Sequence, residues 1–295
     1  MKRRTATAML GGVALALPLR ARAQRADKVH RIGFVSPTAR GSRSDAFLQG
    51  LRELGYIDGH NVKVEMRFAD GLPERLPGLV DELLRLQVDV LVVGATIGAR
   101  AAKQATTSVP IVFAGSSDPV AGGIVANLAR PEGNITGFSL AYGEGFAGKW
   151  LELLKQAVPQ LAHVAALWSS SNAAALRFAQ ELQAAARILS TRLDVHHAAN
   201  ARELDDALAA IGSGGARGLI VTPSPFASAS QDTLVRFAAS QRLPAMYFTE
   251  DFAAAGGLMS YGPSITDSYR RAALHVDKIL KGASPHSGRA APTGR

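Results

Sequence analysis

The sequence predicts an α/β protein built from two similar lobes, each with a parallel sheet, that are joined by a hinge. Strand-like apolar runs alternate with helix-like segments along the chain, and strands that are separated by helical crossovers favour parallel pairing. The alternation runs through five strands and then starts again with similar spacing. The predicted strands begin near residues 31, 62, 88, 110 and 135, and again near residues 163, 192, 218, 244 and 258. This repeat indicates two Rossmann-like lobes of one design.

The first half contains both kinds of strand pattern. The stretch "VDVLVVG" is apolar without interruption, which is typical of a strand covered on both faces, whereas "NVKVEMRF" alternates like a half-buried strand. A helix at 44–54 places four apolar side chains on one face, and Gly55 is expected to end it. The other predicted elements are the strands "RIGFVSP", "VPIVFAG" and "NITGFS" and the helices near 74–86, 98–106 and 120–129.

The second half repeats this order, and two further helices lie at the joins. Its predicted elements are the strands "HVAALWSS", "TRLDVHH", "RGLIVTPS", "LPAMYFT" and "GGLMSYG", the helices 173–189, 201–211 and 229–240, and a short helical turn. A helix near 146–157 leads into this half, and one near 266–280 returns toward the first. We therefore expect lobe 1 to comprise residues 30–141 plus about 263–283, and lobe 2 to comprise residues 142–262.

The first residues, "MKRRTATAMLGGVALALPLRARAQ", have the three parts of a secretory signal. Basic residues are followed by a short apolar stretch and by Ala21-Arg22-Ala23, an A-x-A cleavage site. We expect residues 1–23 to be a signal peptide and the mature protein to reach the periplasm. The Arg3-Arg4 pair favours the twin-arginine route. An N-terminal amphipathic helix is the alternative.

Charge and composition exclude several classes of function. The formal net charge is +9, but residues 1–23 contain five basic and no acidic residues, so the charge without them is +4. No basic cluster of the kind that binds nucleic acid remains, and no internal run is long and apolar enough for a membrane span. The chain has no cysteine, which excludes disulfides, a thiol nucleophile and cysteine-ligated zinc.

Ligands of open parallel sheets bind beyond the carboxyl ends of the strands, and this rule selects the candidate site. Helix starts after Thr96 and Asp118 would offer N–H groups to a carboxylate, and Asp118 or Glu250 could pair with an ammonium group. For each residue the alternative is helix capping or a place on the surface. The predicted ligand-binding residues are Ser36, Thr96, Ser116, Ser117, Asp118, Ser139, Asn172, Thr222, Ser224 and Glu250.

Enzyme signatures are missing from the sequence. It contains no G-x-x-x-x-G-K-[ST] phosphate loop, no G-x-S-x-G nucleophile elbow and no H-E-x-x-H zinc motif. The adjacent His196 and His197 would point to opposite faces of a strand, which does not suit a shared metal. We therefore predict no catalytic residue, no metal site and no cofactor.

Three stretches resemble the substrate-binding proteins of ABC transporters, especially the group linked to tryptophan or tyrosine uptake. They are "FLQGLRELGYIDGHNVKVEMRFADG", "ARAAKQATTSVPIVFAGSSDPVAGGIVANLARPEGNITGFS" and "FAAAGGLMSYGPSITDSYRRAALHVDKILKGA". Together they run through most of residues 31–283. The resemblance implies a type I periplasmic binding protein fold, whose lobes close on a small ligand and whose closed form docks on an inner-membrane permease.

The resemblance also implies particular site residues. The segment "FAGSSDPV" matches the family's loop after the fourth strand, which implies cleft roles for residues 116–118, and Thr96 matches the loop after the third. In lobe 2, "LWSSSN" departs from the family's Trp-Asn-Pro form but keeps Asn172, and "YFTEDF" implies a cleft role for Glu250.

The resemblance breaks down at the end of the chain. After "KILKGASP" the family continues with a further strand and helix, but here the polar stretch "HSGRAAPTGR" follows. A truncation or a shifted reading frame would account for this difference, and we expect residues 284–295 to form a disordered tail.

The sequence as a whole predicts a monomeric, non-enzymatic solute receptor. It would capture a small polar ligand, an amino acid or a related molecule, and deliver it to an ABC permease. Two alternatives stay open: a ligand-sensing module of a membrane receptor, and an exported α/β enzyme such as a hydrolase.

Overall fold

The computed structural model describes residues 29–128, 131–140, 142, 145–168 and 173–285. Within them lie two five-stranded sheets in which all neighbouring strands run parallel. The prediction of two α/β lobes with parallel sheets is therefore confirmed. The predicted signal peptide and residues 286–295 of the predicted tail lie outside the described residues.

The first sheet has the strand order β2-β1-β3-β4-β5, and four helices accompany it. Its strands are β1 (His30–Ser36), β2 (Val62–Phe68), β3 (Val90–Gly94), β4 (Ile111–Ser116) and β5 (Ile135–Ser139). The helices are α1 (Ser42–Glu53), α2 (Leu76–Arg85), α3 (Ala95–Ala105) and, from the far end of the chain, α10 (Ile265–Leu280).

The second sheet has the strand order β10-β9-β8-β6-β7. Its strands are β6 (His163–Trp168), β7 (Arg192–His197), β8 (Leu219–Val221), β9 (Ala245–Tyr247) and β10 (Met259–Ser260). The helices of this half are α4 (Phe146–Ala157), α5 (Ala173–Ile188), α6 (Ala201–Ser213), α7 (Pro225–Ala229), α8 (Gln231–Ser240) and α9 (Glu250–Ala254). Numbered within its own half, each sheet has the order 2-1-3-4-5, so the repeat seen in the sequence is a repeat of topology.

The first sheet is covered on both faces, as its apolar strands predict. In β3, Val90 and Val92 belong to one buried cluster while Leu91 and Val93 belong to another, because successive side chains of a strand point to opposite faces. The helices α1 and α10 pack on one face and α2 and α3 on the other. Among the described residues, no helix has both the length and the apolar character to cross a membrane.

A glycine lets α10 approach α1 very closely. A Cβ atom on Gly50 of α1 would lie 2.1 Å from the carbonyl oxygen of Arg270 in α10. Because no side chain fits there, the two backbones touch directly. This contact fastens the last described helix to the first lobe.

The chain crosses between the sheets twice, and aromatic side chains hold the two crossings together. The first crossing lies between β5 and α4, and the second between β10 and α10. Trp150 of α4 donates a hydrogen bond from Nε1 to the carbonyl oxygen of Tyr261, at 2.7 Å, and Phe146 stacks on the Tyr261 ring. We call this group, with Tyr142 and Phe178, the crossing cluster.

The connection between β4 and β5 differs from the prediction. A helix was expected near 120–129, and this prediction is wrong for the described residues 120–128, which form no helix. Residues 118–125 form hydrogen-bonded turns instead. Asp118 Oδ1 accepts hydrogen bonds from the N–H groups of Val120 and Ala121, and Gly123 has a left-handed φ of 70°. A left-handed residue at this point is typical of a helical turn that stops.

A buried histidine in α10 predicts a loss of stability in mild acid. His275 is 5% exposed and packs on the Phe138 ring. Burial, and then the charges of Lys278 and Arg271, lower its pKa from 6.5 to about 4. The histidine of the unfolded chain binds a proton more readily than buried His275 does. The free energy of unfolding should therefore keep its maximum contribution from His275 above about pH 6.5, and should fall by on the order of 3 kcal/mol as the pH drops toward 4.

Urea denaturation across this pH range measures the effect. His275→Met should remove this part of the pH dependence, because the variant has no group to titrate at this position. An identical pH profile in the variant and the parent protein would contradict the assignment to His275.

Candidate ligand-binding site

A cavity of about 190 Å³ lies between the lobes, beyond the carboxyl ends of strands from both sheets. Lobe 1 supplies Arg43, Pro73, Ala95, Thr96, Ile97, Gly115, Ser117, Leu140, Ile265 and Tyr269. Lobe 2 and the first crossing supply Tyr142, Ala199, Pro223, Ser224, Pro225, Phe226, Ser228 and Phe248. An apolar protein cavity of roughly 150 Å³ admits benzene, so this one can hold a single ring with short polar substituents.

The wall from lobe 1 is built where α3 follows β3. Ala95, the first residue of α3, has a left-handed φ of 58° although it is not a glycine, and such residues cluster at ligand sites. Next to it, Thr96 Oγ1 and Ser116 Oγ are hydrogen-bonded at 2.8 Å. Gly122 packs against Thr96, since a Cβ on it would lie 2.5 Å from Thr96 Cγ2. These contacts fix the position of the backbone where β3 passes into α3.

The wall from lobe 2 is formed by the loop after β8 and by the end of β9. Pro223, Pro225, Phe226 and Phe248 give this wall an apolar surface. Ser224 Oγ accepts a hydrogen bond from the N–H of Ala227 at 2.9 Å and so caps α7. The wall is thus mostly apolar, with a hydroxyl whose capping bond fixes its position.

Two tyrosines and an arginine add further polar groups to the serine and threonine hydroxyls of the cavity. The Tyr142 hydroxyl donates to the Phe248 carbonyl oxygen at 3.2 Å, and the Tyr269 hydroxyl is hydrogen-bonded to Ser36. Burial raises the pKa of both phenols, and the nearby Arg43 guanidinium opposes the rise. Both hydroxyls are therefore neutral at physiological pH and lie within the electrostatic reach of Arg43.

Polar contacts connect the lobes on either side of the cavity. Arg43 Nη2 donates to Ser228 Oγ at 3.0 Å and lies 3.8 Å from Asp251 Oδ2. Arg177 of α5 forms an ion pair with Asp118 of the loop after β4. In this arrangement the lobes touch across the cavity.

Three of the predicted site residues line the cavity: Thr96, Ser117 and Ser224. Four other predicted residues lie at or just after the ends of strands, but they are buried and do not line the cavity. Ser36 accepts from the N–H of Thr38, Ser116 bonds to Thr96, Ser139 is the β5 partner of Ser116, and Thr222 donates to the Leu167 carbonyl oxygen. For all seven, contact with a ligand stays a prediction.

The two predicted carboxylates have protein partners in this structure. Asp118 is half-buried, accepts from two backbone N–H groups and pairs with Arg177. Glu250 is exposed and accepts from the Ser264 hydroxyl. Asn172, the remaining predicted residue, lies outside the described part of the chain. Within that part, no group of three or more histidine, cysteine, aspartate or glutamate side chains could hold a metal ion.

Arg43, Tyr142 and Tyr269 line the cavity but were not among the predicted site residues. The predicted residues follow strand ends, whereas Arg43 is the second residue of α1 and Tyr269 is the fifth of α10. The sequence did contain an indication for Arg43. When a helix follows a strand, its first turn lies near the carboxyl end of that strand, which is the edge of the sheet where ligands bind. Tyr269 offered no local cue, since its place depends on how α10 packs.

Comparison with known proteins gives consistent results. The model of a family described as ABC transporter substrate binding protein matches residues 28–290. A tyrosine-binding protein of Clostridioides difficile is 29% identical over 125 residues, which are 42% of this chain. That match spans only 35% of the curated relative's length.

Solved structures show the same fold. A conserved domain protein from Vibrio cholerae has a TM-score of 0.82 at 22% identity, with 90% of each chain covered. An ABC domain from Streptococcus pneumonia, in complex with L-Trp, has a TM-score of 0.80 at 23% identity, again with 90% of each chain covered. These likenesses confirm the type I periplasmic binding protein fold. The chain, matched over nearly its whole length, belongs to the ABC transporter substrate-binding protein family.

Proposed function

We propose that the protein captures an amino acid or a related small molecule between its lobes and delivers it to an ABC permease in the inner membrane. The observation that carries the proposal is the cavity, because residues of both lobes wall it. A site of this kind couples ligand binding to the relative position of the lobes. The L-Trp complex and the tyrosine-binding relative support an amino acid as the ligand.

The proposal includes the movement of two units about the crossings. One unit is residues 30–141 with about 263–283, and the other is residues 142–262. The contacts of Arg43 with Ser228 and of Asp118 with Arg177 would form on closure and break on opening. We expect the protein to work as a monomer, since one chain provides both walls.

The proposal also includes export to the periplasm after removal of residues 1–23. The basic start, the apolar stretch and the A-x-A site support it. Cell fractionation of a tagged chain tests the destination. Replacing Arg3 and Arg4 together with lysine tests the twin-arginine route, because that substitution keeps the charge that other export routes need.

A ligand panel tests the central claim. Amino acids, aromatic acids, purines and sugars would be screened by thermal shift against the mature protein, and hits would be measured by calorimetry. Tight binding of an amino acid or a close relative supports the proposal, since a ligand that binds only the folded state raises its stability. Failure of the whole panel would refute it, and turnover of a substrate in addition would favour the enzyme alternative.

Filling the cavity should abolish binding without unfolding the protein. Ala199 lines the cavity after β7, but its side chain is exposed rather than part of the core. In Ala199→Trp the indole would occupy the ligand volume, and we expect affinity to fall at least about 100-fold, the scale of a blocked site. Calorimetry with the best hit of the panel measures this loss.

The matched control is Ala253→Trp, which adds the same side chain at an exposed position of α9. It should bind the hit normally. Equal affinity of Ala199→Trp and Ala253→Trp would place the binding site elsewhere.

A further inference from the structure

Arg43 lies where the interlobe cavity meets a second, more open groove. The outer groove is lined by residues 38–42 and Asp70 of lobe 1 and by Gln231 and Asp251 of lobe 2, among others, and it shares Arg43 and Ser228 with the cavity. The Arg43 side chain is only 14% exposed. Because an arginine keeps its charge at any physiological pH, a side chain with so little exposure needs an anionic partner for its guanidinium.

The protein supplies that partner only in part. Asp251 Oδ2 is 3.8 Å from Nη2, beyond a good hydrogen bond, and it lies in the outer groove. Nη2 itself donates to Ser228. Within the described residues, Nε and Nη1 donate to no acceptor, and Arg43 is the only charged side chain that lines the cavity.

The surroundings of Arg43 suit the charged end of an otherwise apolar molecule. The two nearby phenols are neutral, because burial raises the pKa of Tyr142 and Tyr269, so neither competes as an anion. Beyond them the cavity is walled by Ile97, Leu140, Phe226 and other apolar side chains. The cavity therefore combines one cationic side chain with largely apolar walls.

We infer that Arg43 binds the carboxylate of the ligand, and that this carboxylate, rather than an ammonium group, is what the site requires. The ligand class is small carboxylic acids with one ring or a branched aliphatic body. Arginine binds carboxylates through two parallel N–H donors. Nη2 has a second N–H besides the one that donates to Ser228, and this N–H runs parallel to an N–H of Nε or of Nη1, which completes such a pair. This inference rests on the proposed function and narrows its ligand.

The test uses sets of compounds that differ in one group. For the phenylalanine, tyrosine and leucine series, calorimetry would compare the L-amino acid, its des-amino acid, its amide and its decarboxylated amine. In at least one series we expect the amino acid and the des-amino acid to bind within about tenfold of each other. The amide and the amine should bind at least about 30-fold more weakly, as expected for a buried charge left without its partner.

Variants of the mature protein assign the effect to Arg43. Arg43→Met should weaken the binding of the acids at least about 30-fold, and it should bring the ratio of the affinity for the acid to that for the amide close to one. Arg40→Met is the matched control, because Arg40 is exposed and lines only the outer groove, and it should keep the ratio. Ser228→Ala removes the Arg43–Ser228 contact between the lobes and should weaken the binding of acid and amide equally. This variant therefore separates the effect of lobe closure from recognition of the anion.

Two results would overturn the inference while the proposed function survives. One is a ligand, such as a sugar or an amide, that binds the parent protein as tightly as any acid. The other is an Arg43→Met variant that keeps the acid-to-amide ratio. If nothing in these sets or in the wider panel binds the parent protein, the proposed function fails and the inference fails with it.

Discussion

Replacing Trp150 with alanine should lower the free energy of unfolding by about 4 kcal/mol, in the range of large-to-small changes in a core. Trp150 is fully buried and packs against Tyr142, Phe146 and Phe178. The substitution also removes the donor to the Tyr261 carbonyl oxygen, and the loss of this hydrogen bond adds to the effect. Urea and thermal denaturation of the mature protein measure the change, with a drop in Tm of roughly 10 °C.

Trp150→Phe separates packing from hydrogen bonding at this position. It keeps an aromatic ring but has no donor for Tyr261, so we expect it to lose only about 1–2 kcal/mol. Because the crossing cluster connects both crossings, Trp150→Ala should also weaken ligand binding, whereas Trp150→Phe should bind nearly normally. A loss below about 1 kcal/mol in Trp150→Ala would show that the cluster contributes little to stability.

Adding one methyl group at Gly94 should disturb both the fold and the site. A Cβ on Gly94 would lie 2.2 Å from the Tyr269 hydroxyl oxygen and 2.8 Å from Pro37 Cδ. Tyr269 is buried and cannot swing away into solvent, so Gly94→Ala must displace it from the wall of the cavity. We expect a loss of about 1–3 kcal/mol, typical of overpacking, and a clear loss of affinity for the hit of the ligand panel.

Gly98→Ala is the matched control, because Gly98 lies four residues after Gly94, in the first turn of α3. The nearest atom to an added Cβ there is Val93 Cβ at 3.7 Å, an ordinary contact. Alanine also has the better helix propensity, so this variant should be neutral or more stable by up to about 1 kcal/mol. Equal stability and affinity of the two variants would mean that Tyr269 yields to Gly94→Ala without cost.

Much of the fold could be predicted because its strands leave a direct trace in the sequence. A run such as "VDVLVVG" must be covered on both faces, and β3 is. The β4–β5 connection was harder, since its apolar residues at 119–128 fit a helix by spacing alone. What ends the helical turn there is Gly123 in a left-handed conformation, and periodicity carries no information about that choice.

The site could be predicted only as far as strand ends locate it. Thr96, Ser117 and Ser224 line the cavity and follow strands directly, so the rule for open sheets finds them. Arg43 and Tyr269 reach the cavity from helices, and α10 arrives there only through its packing on α1, where Gly50 permits the contact. That packing joins residues more than 200 positions apart, which no local pattern records.

The position of α10 also sets an order for folding. The elements of the second sheet, α4 to β10, are continuous in the chain, so this half can form all its native pairings as soon as it is available. All strands of the first sheet precede this half, but one of the sheet's apolar faces, with Phe34, Val90 and Val92, stays partly uncovered until α10 is available. Until α10 has been synthesised and has packed, this apolar face can make non-native contacts with other segments or bind chaperones. The half of the molecule that emerges first is therefore the half that finishes last.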